Sequence, residues 1–324
     1  MKIIIPGGSG QVGTILARAF HADGHEVVIL SRKAEKSDWR TVKWDAETFG
    51  DWASEFENTD VIINLAGRNV NCRYTDENRR EIMDSRVKST KIVGEAIAKA
   101  TNSPKVWLQA STATIYAHRF DQPNDEITGI IGGSEPTAPD TWNFSIDVAK
   151  SWERAADEAD TPHTRKVLLR SAMTMSPDKD GIFDVLLGLV RKGLGGTSGD
   201  GKQYLSWIHD ADFVRAIGWL IEHEELSGAV NLSAPNPLPN AEFMQVLREA
   251  QGISFGLPAT KLMLEVGAIF LRTETELVLK SRRVVPTRLL ESGFEFEFSD
   301  WKSAAENLCQ RWRSENERLS VIRV

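Results

Sequence analysis

The first thirteen residues limit this chain to few folds. Lys2-Ile3-Ile4-Ile5 is a short β-branched run, and it leads into Gly7-Gly8-Ser9-Gly10-Gln11-Val12-Gly13. Gly8, Gly10 and Gly13 satisfy G-x-G-x-x-G, while Gly7, Gly10 and Gly13 satisfy G-x-x-G-x-x-G. Residues 11–22 then read as a helix. A strand that turns through glycines into a helix N-terminus makes an anion cradle. Free N–H groups and the positive end of the helix dipole face a pyrophosphate, which must come close to bare backbone. The glycine pattern alone is weak evidence, and its place between a strand and a helix is what makes it specific. A purely structural turn is the alternative reading.

Beyond the loop, the first half of the chain alternates. Glu26–Leu30, Thr41–Trp44, Val61–Leu65, Val106–Ala110 and Val167–Leu169 read as strands. Between them, residues 76–100 repeat apolar side chains at Ile82, Met83, Val87, Val93, Ala96 and Ile97, which is helical spacing. Residues 145–159 read as another helix. Alternation of this kind predicts an α/β fold, a Rossmann-type doubly wound parallel sheet covered on both faces. After Arg170 the pattern breaks, with helix candidates over 182–192 and 241–251, the second capped by Asn240. The expected division is a Rossmann domain over 1–175, completed by about 205–235, and a smaller, discontinuous C-terminal cap over 176–204 and 236–324. The length of 324 residues suits one large domain or two coupled ones.

The end of the second strand selects the dinucleotide. Folds that bind NAD place an acid there for the ribose 2′-hydroxyl. This chain has Ser31-Arg32-Lys33. Arg32 can hold a 2′-phosphate bidentately and Ser31 can donate to it, so the expected cofactor is NADP. Solvated loop charge is the bland reading of Arg32 and Lys33. Asp45, after the third strand, could accept from an adenine amino group. Asn64-Leu65-Ala66-Gly67 ends the fourth strand with small residues, leaving room for a cofactor across the sheet. Asp and Gly also end strands for local reasons.

These residues resemble the extended short-chain dehydrogenase/reductases. More closely, the chain resembles their atypical branch, labelled NAD-dependent epimerase/dehydratase or (SulA-like) cell-division inhibitor, with a C-terminal domain of unknown function. The resemblance rests on the glycine loop, Asn64 to Gly67, Asp84-Ser85-Arg86, Trp207-Ile208-His209 with Asp212, Asn231-Leu232 with Ala234-Pro235-Asn236-Pro237, and Arg283-Val284-Val285-Pro286 with Arg288-Leu289-Leu290. It implies a substrate cap and a polar, nucleotide-sugar-like substrate. It also implies a hydroxyl residue and a Tyr-x-x-x-Lys motif. The hydroxyl polarises the substrate oxygen, Tyr moves the proton, and Lys binds the nicotinamide ribose while lowering the Tyr pKa. By this match Thr112, in Ser111-Thr112-Ala113-Thr114-Ile115-Tyr116, takes the hydroxyl role and Lys150 the lysine role. The tyrosine position holds Ile146, which cannot titrate.

Three readings of that gap stay open. Lys150 holds the ribose while another group, of which Tyr116 is the candidate phenol, handles the proton; the alternative for Tyr116 is simple packing under the cap. Alternatively the protein binds NADP without turnover and acts as a regulator through a protein partner. In the third, Ile146 belongs to the apolar stripe of its helix with Ala149, Trp152 and Ala156, and the lysine match is chance. Restoring the phenol by Ile146→Tyr is expected to raise turnover if the rest of the site is intact. The resemblance further places Arg86 near the cofactor, and Arg68 and Arg73 are candidate contacts for an anionic substrate.

Other patterns mostly exclude. Lys plus Arg total 39 against 46 Asp plus Glu, a net charge of -7, which argues against general nucleic-acid or anionic-membrane binding. No run approaches a membrane span of about 18 uncharged apolar residues, since the apolar stretches 182–190 and 262–271 carry Asp184 and Glu265. The N-terminus has no signal-peptide architecture. Cys72 and Cys309 form no disulfide framework, which fits a reducing compartment, and the expected location is the cytoplasm. No metal is expected: His209, Asp210 and Asp212 lack ligand count and spacing, and read instead as a strap from cap to core. No G-x-S-x-G elbow occurs. The loop 193–204 holds five glycines and precedes the strap, which makes Gln203 a candidate substrate contact. Trp142, Trp152 and Trp207 are candidates for the cleft wall, with core packing the alternative that holds for most tryptophans. A homodimer would use the helices over 76–100 and 145–159.

Overall fold

The structure is a computed structural model that describes residues 1–33, 37–135, 138–270 and 274–322, without the side chains of 266–270 and 318–322. Its centre is a seven-stranded sheet. In chain order the strands are β1 (Lys2–Pro6), β2 (Glu26–Ser31), β3 (Arg40–Lys43), β4 (Val61–Asn64), β5 (Val106–Thr112) and β6 (Arg165–Ser171), followed after two short cap strands, β7 (Met173–Met175) and β8 (Tyr204–Leu205), and the strap strand β9 (Trp207–His209), by β10 (Gly228–Leu232). The spatial order is β10-β6-β5-β4-β1-β2-β3, and every pairing in it is parallel. The direction of winding reverses between β1 and β4. Ligands of doubly wound sheets sit at such a reversal, outside the carboxyl ends of the strands.

A parallel sheet buried on both faces needs near-continuous apolar strands, and Ile3, Ile4 and Ile5 are all fully buried. Successive side chains part to opposite faces. Ile3, Ile5, Val27 and Ile29 join Leu16 of α1 (Gln11–Ala22) and Phe213 and Ile217 of α5 (Asp210–Glu222). Ile4, Val28, Leu30 and Trp107 face the other way, onto Val93 and Ile97 of α2 (Asp76–Lys99) and Ala156 of α3 (Asn143–Asp157).

The cap has its own core. Phe183 and Leu187 of α4 (Ile182–Arg191), Phe243 of α6 (Asn240–Gln251) and Trp301 of α10 (Trp301–Ile322) close around Trp207. Phe243 and Trp301 stack with centroids 3.9 Å apart, and Trp301 Nε1 donates to the Phe243 carbonyl. Strand β7 pairs with β9, and β8 pairs with β11 (Leu238–Pro239). The remaining helices are α7 (Lys261–Phe270), α8 (Glu276–Leu279) and α9 (Thr287–Glu291). The apolar run 262–271 is α7, apart from residue 271, which lies outside the described residues. Among the described residues no helix is long and apolar enough to cross a membrane.

One expectation needs correction. Asn240 does not cap α6: Pro239 holds that position, and Asn240 is the first helical residue, its Oδ1 accepting from the Ser198 N–H at 2.8 Å. The cap strand β11 carries extended backbone up to Pro239, so Pro239 takes the cap position and the helix begins one residue earlier than a capping asparagine requires.

Candidate functional site

The glycine loop is shaped by contacts that forbid side chains. Gly7 has φ 74°, and a Cβ there would lie 2.5 Å from Ala66 Cα. At Gly13 a Cβ would lie 2.4 Å from Gly8 Cα, so helix α1 could not seat against the loop. Gly10 differs. A Cβ there meets nothing within 4 Å among the described residues, so their packing does not call for glycine. Gly10 is also the N-cap of α1, with no side-chain cap and no acid in the first turn. Next to it, Gln11 Nε2 is buried with no acceptor among the described residues. Open space, bare N–H groups and an orphan donor together match what a phosphate oxygen supplies.

The cradle opens sideways into a cavity of about 340 Å³, lined by Ser9, Thr14, Ser31, Lys33, Asp38 and Trp39 among others. Ser31 Oγ donates to Ser9 Oγ at 3.1 Å and accepts from the Lys33 N–H, so the end of β2 is tied to the glycine loop. Arg32 is exposed, and among the described residues nothing pairs with its guanidinium. Asp45 lies elsewhere in its chemistry. Its Oδ1 accepts from the Glu47 and Thr48 N–H groups and its Oδ2 from the Thr48 hydroxyl. The Thr48 hydroxyl, helped by these backbone donors, lowers its pKa to about 2. The turn after β3 therefore employs both carboxylate oxygens.

Across the switch point, buried Asn64 donates to Gln109 Oε1 at 2.9 Å, and its Oδ1 accepts from the Ala66 N–H. This fixes Leu65, Ala66 and Gly67 beside Gly7. Arg86 of α2 reaches under Gly67. It donates to the carbonyls of Arg68 and Ile82, and its guanidinium carbon stands 4.9 Å from the Trp152 ring centre. Burial lowers its pKa to about 10, and no carboxylate pairs with it among the described residues. By contrast, Arg68 pairs with Glu81 and Arg73 with Glu274, so each candidate substrate arginine already meets a carboxylate.

The candidate catalytic residues split. Thr112 ends β5, half-buried, where its Oγ1 accepts from the Thr114 N–H at 3.2 Å. Lys150 of α3 donates to the Gly132 carbonyl at 2.9 Å. One turn earlier Ile146 is 1% exposed and packs against Gly132, where an added Cβ would stand 2.8 Å from Ile146 Cδ1. The Tyr116 phenol is occupied. It donates to Asn231 Oδ1 at 2.9 Å and accepts from Arg170 at 3.0 Å, and the side chain is 2% exposed. Burial raises its pKa. Arg170 in turn grips Glu153 through two hydrogen bonds, and Glu153 takes the Ser111 hydroxyl at 2.6 Å. This network joins β5, α3, β6 and β10 beneath the site.

Sequence reasoning missed a second cluster. Lys280 Nζ donates to the Thr114 carbonyl, Arg282 Nε to the Thr114 hydroxyl, and the Ser281 N–H to His118 Nδ1. Glu276, 2% exposed, accepts from the Ser145 hydroxyl at 2.6 Å. Burial raises the Glu276 pKa and lowers that of Lys280 to about 8. Only the neighbouring Arg283 motif hinted that this stretch had a role. Gln203 is not free to meet a ligand through its amide N–H groups, which go to the Ser198 and Val278 carbonyls. Trp207 is sealed in the cap core, Trp152 lies under Arg86, and Trp142 lines a second cavity. Asp210 is held by Arg311, and Asp212 accepts from the Glu297 and Phe298 N–H groups, which fastens the strap.

Comparison with known proteins agrees with this layout. Residues 3–233 match the NAD dependent epimerase/dehydratase family, and residues 259–308 match a domain of unknown function, DUF1731. The human Epimerase family protein SDR39U1 is 29% identical over 311 residues, covering 95% of this chain and 99% of that one. Epimerase family protein YfhF of Bacillus subtilis (strain 168) is 29% identical over 315 residues, covering 95% and 98%. The crystal structure of human SDR39U1 (isoform 2) with NADPH is similar with a TM-score of 0.83 at 28% identity, covering 96% of this chain and 99% of that chain.

Proposed function

The chain belongs to the NAD dependent epimerase/dehydratase family, and from that premise we propose that it is an NADP(H)-dependent, epimerase/dehydratase-like oxidoreductase acting on a polar, nucleotide-sugar-like small molecule. One observation carries the cofactor half of this reading. Gly10 opens onto free space beside an uncapped helix N-terminus and the orphan Gln11 Nε2 donor. The NADPH in the crystal structure of human SDR39U1 supports the same choice.

The chain's own residues take the following parts. The N–H groups at the start of α1 and Gln11 would hold the pyrophosphate. Ser31 and Arg32 would hold the 2′-phosphate, Arg32 through paired N–H donors. Leu65, Ala66 and Gly67 would leave the strand edge bare beneath the cofactor, and Lys150 would turn from the Gly132 carbonyl to the ribose hydroxyls. When bound, NADP(H) supplies a hydride donor or acceptor. Thr112, at the carboxyl end of β5, would orient the substrate oxygen. Ile146 moves no proton, and the Tyr116 hydroxyl is committed to Asn231 and Arg170.

That last pair of facts favours a second reading, a non-catalytic NADP-binding protein that acts through a protein partner. The cell-division label of the branch adds no chemistry at any residue. Both readings suit a cytoplasmic location, with Cys72 and Cys309 as free thiols. Titration with NADPH and NADH, followed by quenching of tryptophan fluorescence, tests the shared premise. Tight NADPH and weak NADH are expected. Failure to bind either would overturn both readings.

A further inference from the structure

A second cavity, of about 150 Å³, lies between the start of α3, residues 73–79 and residues 274–276. Its wall includes Arg73, Tyr74, Arg79, Trp142, Glu274 and Glu276. None of the roles given above to the glycine loop, Arg32 or Lys150 uses it. We propose that this cavity receives a hydroxyl-bearing, uncharged group of the substrate, with Glu276 as the hydrogen-bond acceptor that selects it. The proposal rests on the reading that the chain binds a polar small molecule, and it gives the C-terminal segment a part in that recognition.

Glu276 is the acceptor in want of a donor. Its Oε2 takes the Ser145 hydroxyl, but Oε1 is buried with no hydrogen-bond partner among the described residues. The Lys280 ammonium stands 3.9 Å away, beyond hydrogen-bond distance. A buried carboxylate oxygen left in this state is costly, and an incoming O–H relieves it. The other carboxylate of the wall is already served. Glu274 takes the Tyr74 N–H at 2.7 Å and faces Arg73 at 3.4 Å.

Charge and shape narrow the ligand further. Lys280 and Arg282 both act on the Glu276 carboxylate, and Arg79, its Nε donating to the Tyr74 carbonyl, holds its guanidinium over Phe144. With these cations around it the pocket opposes an ammonium group. Tyr74 and Trp142 in the wall suit the apolar side of a ring or short chain. At about 150 Å³ the cavity is smaller than the pockets of about 300–1,000 Å³ that take drug-sized ligands, which suits a single ring. Ser145, which orients Glu276, directly precedes Ile146. The subsite therefore adjoins the helical turn where the family pattern expects its tyrosine.

Saturation-transfer NMR on the full chain tests this with glycerol, myo-inositol and methyl glucoside as probes and tetrahydropyran as the hydroxyl-free control. At least one polyol is expected to receive saturation, and tetrahydropyran is not. Glu276→Gln should weaken the responding polyol about tenfold, the worth of one charge-assisted hydrogen bond. Thr141→Trp, at an exposed residue of the cavity wall, should abolish it. NADPH quenching should be unchanged in both variants. Silence of all three polyols, an equal response from tetrahydropyran, undiminished polyol binding in a folded Glu276→Gln, or full polyol binding in Thr141→Trp would overturn the proposal. If Glu276→Gln fails to fold, Thr141→Trp decides. Polyol binding that follows these variants in a protein that ignores NADPH would uphold the subsite and remove the dinucleotide reading.

Discussion

Lys280 Nζ donates a 2.8 Å hydrogen bond to the carbonyl of Thr114, across 166 positions of sequence. Thr114 in turn gives its N–H to the Thr112 hydroxyl. The C-terminal segment thus braces the turn that carries the candidate catalytic hydroxyl. Burial first, and then Arg282, lowers the Lys280 pKa from 10.5 to about 8. Between those values the unfolded chain binds a proton that the folded chain does not, so stability from this group rises with pH there and is flat below about 8. Wild-type protein should therefore gain in urea midpoint relative to Lys280→Met between pH 8 and 10. Parallel pH profiles for the two proteins would contradict this account.

Gly10 and Gly13 should behave oppositely. Gly13→Ala would push a Cβ to 2.4 Å from Gly8 Cα, and steric strain of that kind costs about 1–3 kcal/mol, so the melting temperature should fall. Gly10→Ala meets nothing among the described residues, and its stability cost should stay under about 1 kcal/mol as an altered N-cap. Its methyl group would instead stand where the pyrophosphate approaches, so NADPH binding should weaken sharply. Equal losses of stability in the two variants would show that Gly10 is a folding residue.

The contrast between these glycines also shows how far the sequence could be read. Fold class followed from local signals: the β-branched runs, the helical spacing of 76–100 and the glycine loop each lie within one element. Gly7 and Gly13 were visible in the same way. The Glu276, Lys280 and Arg282 cluster was not, because burial gives these residues their character and burial comes from partners more than 100 positions away. Nothing local separates Lys280 from a solvated surface lysine. Tyr116 is a middle case. Its motif position suggested chemistry and its aromatic ring suggested packing, and the Arg170 and Asn231 partners that occupy its hydroxyl come from β6 and β10, far along the chain.

Arg32→Asp tests the choice between the dinucleotides. It replaces a guanidinium that has no partner among the described residues by a carboxylate that repels a 2′-phosphate. Losing a charge-assisted contact of about 1.5–3 kcal/mol should lower NADPH affinity roughly 10- to 100-fold. NADH, without that phosphate, should bind no worse than before. A variant that keeps the wild-type ratio of NADPH to NADH affinity would return Arg32 to the status of a solvated loop residue.

Restoring the tyrosine at position 146 now looks costly. Ile146 is 1% exposed and already touches the 132–133 backbone, so a phenol ring has no room without displacing that segment. Overpacking of a filled core costs about 1–3 kcal/mol. Ile146→Tyr should thus lower the melting temperature, and any gain in turnover should require movement of the segment that also holds Lys150 through Gly132. An unchanged melting temperature would mean that the loop yields freely and that the site opens more easily than its packing implies.

Tyr116→Phe separates a structural phenol from a catalytic one. Removing the hydroxyl leaves Asn231 Oδ1 without its donor and one Arg170 N–H without its acceptor, both in the interior. Orphaned buried groups cost about 1–3 kcal/mol, so the urea midpoint should drop by a corresponding amount. The Glu153–Arg170 pair keeps its two hydrogen bonds, so the sheet edge and Thr112 should stay in place. NADPH affinity should be unchanged, and so should any turnover rate measured below the unfolding transition. A variant of native stability that loses turnover would instead mean that the phenol leaves Asn231 during the reaction and carries the proton itself.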